Sequence, residues 1–126
     1  MPASARLVVL AAGLLGALGV LLGAFGAHGL KQRLAPDLLA LWQTAVQYHQ
    51  WHTLAMLATG LLLVHVPQHP WLRAAAVLFF AGIVLFSGSL YALALGAPRL
   101  LGAITPLGGL ALIAAWSCLA VAAFRA

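Results

Sequence analysis

Residues 7–27 read LVVLAAGLLGALGVLLGAFGA, an apolar run bounded by Arg6 and His28. A membrane-spanning helix needs about 20 such residues, whereas the apolar core of a signal peptide is usually about 7–15 residues long. The run is therefore expected to remain as an uncleaved first transmembrane helix. Three further apolar segments follow, at residues 43–66 (most apolar over Thr53–Val66), 71–95 and 101–124. The composition agrees: of 126 residues, 65% are hydrophobic and 6% charged, against about a quarter charged in soluble domains. A chain this short has too little interior to hide that much apolar surface from water. Lipid leaves backbone polar groups without partners, so the spans must be helices. Unbroken runs exclude the alternating pattern of a β-barrel. The expected fold is all-α: a single integral-membrane domain, residues 1–126, built as a four-helix bundle.

The links differ. Pro67 and Pro70 stop the second helix and start the third, and Gly96-Ala97-Pro98-Arg99 joins the third to the fourth. Links this short place neighbouring helices antiparallel and side by side. The first link, from His28 onward, reads as the long one. Pro36 suits a first helical position and Asp37 suits the positive end of a helix dipole. A continuous helix from Pro36 to His65 would be about 45 Å long, against a hydrocarbon core of about 30 Å. Its N-terminal third is expected at headgroup level, making the first loop and second helix partly interfacial.

The net charge of +5 reflects a shortage of acids, Asp37 alone, and not a cluster of bases. Arg6, Lys31, Arg33, Arg73, Arg99 and Arg125 sit singly or as one pair at the edges of apolar runs, as headgroup anchors do. No basic stripe exists to neutralise phosphates, so nucleic acid is not an expected partner. With four spans both termini lie on one side. The bases divide three against three between the two faces, and the initiator amine and histidines lean the termini to the cytoplasm. The lone Cys118 cannot form an intramolecular disulfide and reads as a buried thiol.

Gly13, Gly16, Gly19, Gly23 and Gly26 fall on one arc of the first helix, about 140° wide at 3.6 residues per turn. Such a face lets a neighbouring backbone come close. Ala111, Ala114, Ala115, Cys118 and Ala122 repeat the idea in the fourth helix.

The densest polar cluster is Trp42-Gln43-Thr44-Ala45-Val46-Gln47-Tyr48-His49-Gln50-Trp51-His52. Tyr48 and His52 share one helical face. His49 and His52, three apart, are short of the four ligands of a structural zinc site, and no carboxylate or thiolate stands near them to complete one. No metal site, catalytic residue or cofactor is assigned. Ser87 has no local base to make it a nucleophile, and no Asp or Glu lies within a span, which removes the carboxylates that intramembrane proton chemistry usually employs. An enzyme is not expected. Thr105 before Pro106 reads as a helix N-cap.

Four segments together are specific: Gly23-Ala24-Phe25-Gly26-Ala27-His28-Gly29-Leu30, Trp42-Gln43-Thr44-Ala45-Val46-Gln47-Tyr48 with His52, Phe86-Ser87-Gly88-Ser89-Leu90-Tyr91, and Thr105-Pro106-Leu107-Gly108-Gly109. In this order, and over nearly the whole chain, they resemble the YgdD and YwdK type of small multi-pass bacterial inner-membrane proteins of unknown function. The resemblance implies the inner membrane and no reaction. It also implies glutamine as the usual residue where this chain has His49, so His28 and His52 are the better candidates for a shared site.

The leading expectation is a structural or accessory membrane component, with the bilayer, a second copy or another membrane protein as its partner. The second is a small-molecule- or lipid-binding protein, or a small transporter, with a site of His28, Gln47, Tyr48 and His52 at one interface. The third is a metal- or haem-binding redox accessory.

Overall fold

A computed structural model of the protein describes residues 1–125. It is a membrane helical bundle of four long helices: α1 (Ala3–Leu30), α2 (Pro36–His65), α3 (Pro70–Ala94) and α4 (Arg99–Phe124). Among the described residues there is no strand. The prolines act as expected. Pro36 and Pro70 occupy first-turn positions of α2 and α3, where the missing N–H would have had no intrahelical partner. The chain leaves α3 through Gly96, whose φ of +101° no other residue type adopts cheaply.

Two boundaries differ from the sequence reading. The first link is short, Lys31–Ala35, because α1 continues past Ala27 to Leu30 through a widened π turn, Gly26–Leu30. Gly26 keeps right-handed helical angles, φ −61° and ψ −44°, so the helix runs on through it into the widened turn. Thr105 is not an N-cap. A 3₁₀ turn, Arg99–Ala103, runs directly into the α-helical part of α4, and no side chain caps that junction. Pro106 sits in the first α-helical turn, where its missing N–H is tolerated, and the Thr105 hydroxyl is turned to another helix.

The helices run antiparallel in sequence. Along the α1–α2 pair, Gly26 faces Trp42, Gly23 faces Val46, Gly16 faces Thr53, and Gly60 faces Val8 and Val9. Between α2 and α3, Ser87 meets Ala45, and the His52 ring lies 6.1 Å from that of Phe79. Between α3 and α4, the rings of Phe79 and Trp116 lie 5.2 Å apart and Gly82 faces Leu112. At the end that holds both termini all four helices meet, through Ala5, Leu63, Leu72 and Ala122. The expected small-residue faces are buried in part: Gly19 and Gly26 of α1 and Ala115, Cys118 and Ala122 of α4 are buried, whereas Gly13 is exposed and meets no neighbouring helix.

Three helices, α1, α3 and α4, are long and apolar enough to cross a membrane by length and composition alone. α2 is long enough but carries too many polar residues. Four of them point inward: His49, His52, Thr53 and Thr59 are buried, whereas Gln43 and Gln47 are exposed. A hydropathy average is blind to which side of a helix a polar group faces.

Candidate functional site: a polar seam between the helices

On α2, Trp42, Val46, His49, Gln50 and Thr53 recur every three or four residues and form one face. That face lies on the glycine stripe of α1. The Trp42 indole N–H donates to the Leu22 carbonyl at 2.9 Å, and the Gln50 amide donates to the Gly16 carbonyl at 3.1 Å. His49 Nε2 lies 2.8 Å from the Leu15 carbonyl oxygen. A carbonyl only accepts, so Nε2 carries the proton. Nδ1 of the neutral ring is then an acceptor, and the Tyr91 O–H donates to it at 2.9 Å. One imidazole thus ties α1, α2 and α3 together.

Each α1 carbonyl already accepts a bond within its helix and uses its second lone pair for α2. The glycines make this approach possible. A Cβ on Gly26 would lie 2.6 Å from Trp42 Cδ1, and one on Gly19 would overlap the Gln50 amide.

The seam continues into the second hairpin. Ser87 is drawn inward by a second π turn, Ile83–Ser87, and its hydroxyl donates to the Ala45 carbonyl at 2.7 Å. Trp42 packs on Tyr91 at 4.7 Å and Tyr48 on Phe86 at 4.6 Å between ring centroids. From α3 to α4, the Ser89 and Thr105 hydroxyls are 2.6 Å apart. Ser89 donates to the Phe86 carbonyl at 2.9 Å, so Thr105 donates to Ser89. Beside this pair Gly108 meets backbone: a Cβ there would lie 2.7 Å from Phe86 Cα and 2.8 Å from the Leu85 carbonyl carbon.

The four candidate site residues do not converge on one point. Tyr48 and His52 come together, their rings stacked at 5.7 Å and 19°, and His52 lies among Tyr48, Phe79 and Trp116. His52 Nδ1 donates to the Tyr48 carbonyl at 2.7 Å. Gln47 is exposed and points elsewhere, lining a cavity of about 570 Å³ on the flank of α1 and α2 with Gly23, Gly26 and Gln43. His28 is exposed in the π turn that ends α1. His49 and His52 do not form a metal pair, because three of their four ring nitrogens are engaged by carbonyls or Tyr91. Among the described residues no group of three or more His, Cys, Asp or Glu side chains gathers to hold a metal ion.

Sequence reasoning missed Trp42, His49, Gln50 and Tyr91 as members of the site. Their signal was available: the α2 face at spacing 42, 46, 49, 50, 53 matches the glycine spacing 16, 19, 23, 26 of α1. Read separately, the first looks like an interfacial belt and the second like plain packing. Docked antiparallel, they are two sides of one hydrogen-bonded contact. The four segments that carried the family resemblance also dock on one another. Residues 23–30 lie on 42–48, 42–48 on 86–91, and 86–91 on 105–109.

Comparison with known proteins covers the same stretch of chain. The family profile described as Protein of unknown function (DUF423) matches residues 22–109, the span of all four docked segments. The chain is 47% identical over 108 residues to the UPF0382 membrane protein YwdK of Bacillus subtilis, covering 86% of this chain and 88% of that one. It is 43% identical over 107 residues to the UPF0382 membrane protein SH2409 of Staphylococcus haemolyticus, covering 82% and 83%. It is 37% identical over 122 residues to the UPF0382 inner membrane protein YgdD of Escherichia coli K12, covering 97% and 92%. No solved structure matches the chain significantly.

Proposed function

Because the chain belongs to the DUF423 family of membrane proteins of unknown function, we propose for it a role that needs no chemistry of its own: a structural or accessory component of the bacterial inner membrane. The supporting observation is where its polar groups go. Trp42, His49, Gln50, Ser87 and Thr105 all bond across helix boundaries. A reacting group must instead present an unengaged atom to its substrate. The surface fits the same role. Bulky side chains such as Leu7, Leu14, Leu21 and Val77 are mostly exposed, and in a bilayer they face lipid or another membrane protein.

In this reading the chain crosses four times, with both termini on one face, the cytoplasmic one. α2 stays beside α1 from the Gly26–Trp42 contact to the Val8–Gly60 contact. That is about 27 Å of helix, close to a hydrocarbon core of about 30 Å, which supports a crossing by α2 beside α1.

In-cell crosslinking followed by purification and mass spectrometry tests the role. The expected result is a reproducible crosslinked membrane protein, or a second copy of this chain. Recovery of an uncrosslinked monomer throughout would sink the accessory reading. The small-molecule or transporter reading keeps one supporting observation, the open cavity at Gln47. A metal or haem accessory role keeps the His52 Nε2 atom, whose sister Nδ1 is held by the Tyr48 carbonyl.

A further inference from the structure

Two cavities on the α1–α2 hairpin lie in line. One, about 470 Å³, is apolar apart from Gln50 and Thr53, and runs past Val9, Gly13 and Val20 of α1 and Leu54 and Leu57 of α2. The other, about 570 Å³, lies past Gly23 and Ala27 of α1 and Ala40, Gln43 and Gln47 of α2. On a helical wheel Val9, Gly13, Val20, Gly23 and Ala27 form one stripe of α1, and Ala40, Gln43, Gln47, Leu54 and Leu57 one stripe of α2. The two cavities thus lie end to end on one flank of the hairpin and together outline a groove. From Val9 to Ala27 it is about 27 Å long, a match to one leaflet's acyl chain with its headgroup and part of the next leaflet.

The groove is asymmetric. Its lower half is floored by Gly13, whose missing side chain leaves open space: nothing lies within 4 Å of a Cβ built there. Its upper half presents the Gln43 and Gln47 amides, which bond no other described side chain or backbone group. Lys31 and Arg33 follow within two turns of Ala27 and are exposed. Arg99 belongs to the same end, since Ala94 of α3 clusters with Leu30 and Trp42. Asp37 is the single opposing charge.

We infer that this groove holds one anionic phospholipid, with its acyl chain over Gly13, its ester and phosphate oxygens at Gln43 and Gln47, and its charge against Lys31 and Arg33. Ester and phosphate oxygens are acceptors and the amide N–H groups are donors, so the pairing has the right sense. Charge selects this occupant over a second copy of the chain. A two-fold partner along the membrane normal would bring its own Lys31 and Arg33 to the same depth, placing like charges together, whereas an anionic headgroup brings the opposite sign. The inference stands apart from the accessory role, which needs no particular lipid.

Native mass spectrometry of the purified full chain, titrated with phosphatidylglycerol or phosphatidylcholine in mild detergent, tests it. The wild type is expected to retain one phosphatidylglycerol in preference to phosphatidylcholine. Lys31→Gln and Arg33→Gln should each cut that preference about fivefold. Gly13→Leu fills the open floor without touching the α2 contact, and should lose both lipids while keeping its thermal stability. Equal retention of both lipids, unchanged by the charge variants, would overturn the inference in favour of ordinary annular lipid. A dimer that carries no lipid and is dispersed by Gly13→Leu would overturn it in favour of a second copy.

Discussion

His49 shows how a residue changes meaning between sequence and structure. In the sequence it is one histidine of a polar cluster, set aside in favour of His28 and His52. In the structure it is 2% exposed and bonds a carbonyl of α1 and a hydroxyl of α3. Interhelical hydrogen bonds in membranes average about 0.6 kcal/mol and reach about 1.7 kcal/mol. Losing both should therefore cost about 1–3 kcal/mol. His49→Ala is expected to lower unfolding stability in mixed micelles by that amount. His49→Gln, which keeps an N–H donor of similar reach, should recover part of it. A His49→Ala protein as stable as the wild type would remove His49 from the seam. The converse lesson comes from Ser87, already read as a poor nucleophile because it lacks a neighbouring base. Its hydroxyl donates to Ala45 O, and that bond supplies a role spacing alone does not show.

At the scale of the helix pair, the glycines divide by what they face. On α1, Gly19 and Gly26 admit the side chains of Gln50 and Trp42, whereas Gly13 faces open groove. In α4, Gly108 admits the backbone of α3 at its π turn. A flexible side chain can move aside and a backbone cannot, so Gly108→Ala is the more severe of the small substitutions. It should cost at least about 2 kcal/mol, in the range of overpacked cores. Gly19→Leu should also disrupt folding in detergent, since it displaces the Gln50 amide from the Gly16 carbonyl. Thermal melts of Gly108→Ala, Gly19→Leu and Gly13→Leu, side by side, check the division; equal stability of all three would refute it. The glycine face of α1 was legible from spacing alone. Which glycine meets backbone was not, because that depends on the π turn at Ile83–Ser87, which no motif in the chain marks.

For the whole molecule the number of crossings turns on α2. Composition supports three helices as spans, while the antiparallel register of α2 along α1 supports a fourth. The two counts predict opposite results for reporters fused at the ends. Four crossings put both termini on one face, and three put them on opposite faces. Reporters at residue 1 and after residue 126 are expected to give the same side, the cytoplasmic one. Opposite sides would mean that α2 lies outside the hydrocarbon core despite its contact with α1.

What the amino-acid sequence determined by itself is the class of solvent and the number of helices. Sixty-five per cent apolar residues can be accommodated only in lipid, lipid permits only self-satisfied backbones, and prolines at 36, 67 and 70 mark where helices turn. These are local or compositional effects, and they survive any arrangement of the helices. The tertiary structure alone decided what the polar cluster of α2 is for. Whether Gln, His and Trp at membrane depth make an interfacial belt, a ligand site or interhelical links depends on what lies opposite. Docking the 42–53 face of α2 on the glycine face of α1 gave Trp42, His49 and Gln50 backbone carbonyls as partners. It also turned Gln43 and Gln47 out to the flanking groove. Side chains one turn apart on the same helix thereby acquired opposite roles.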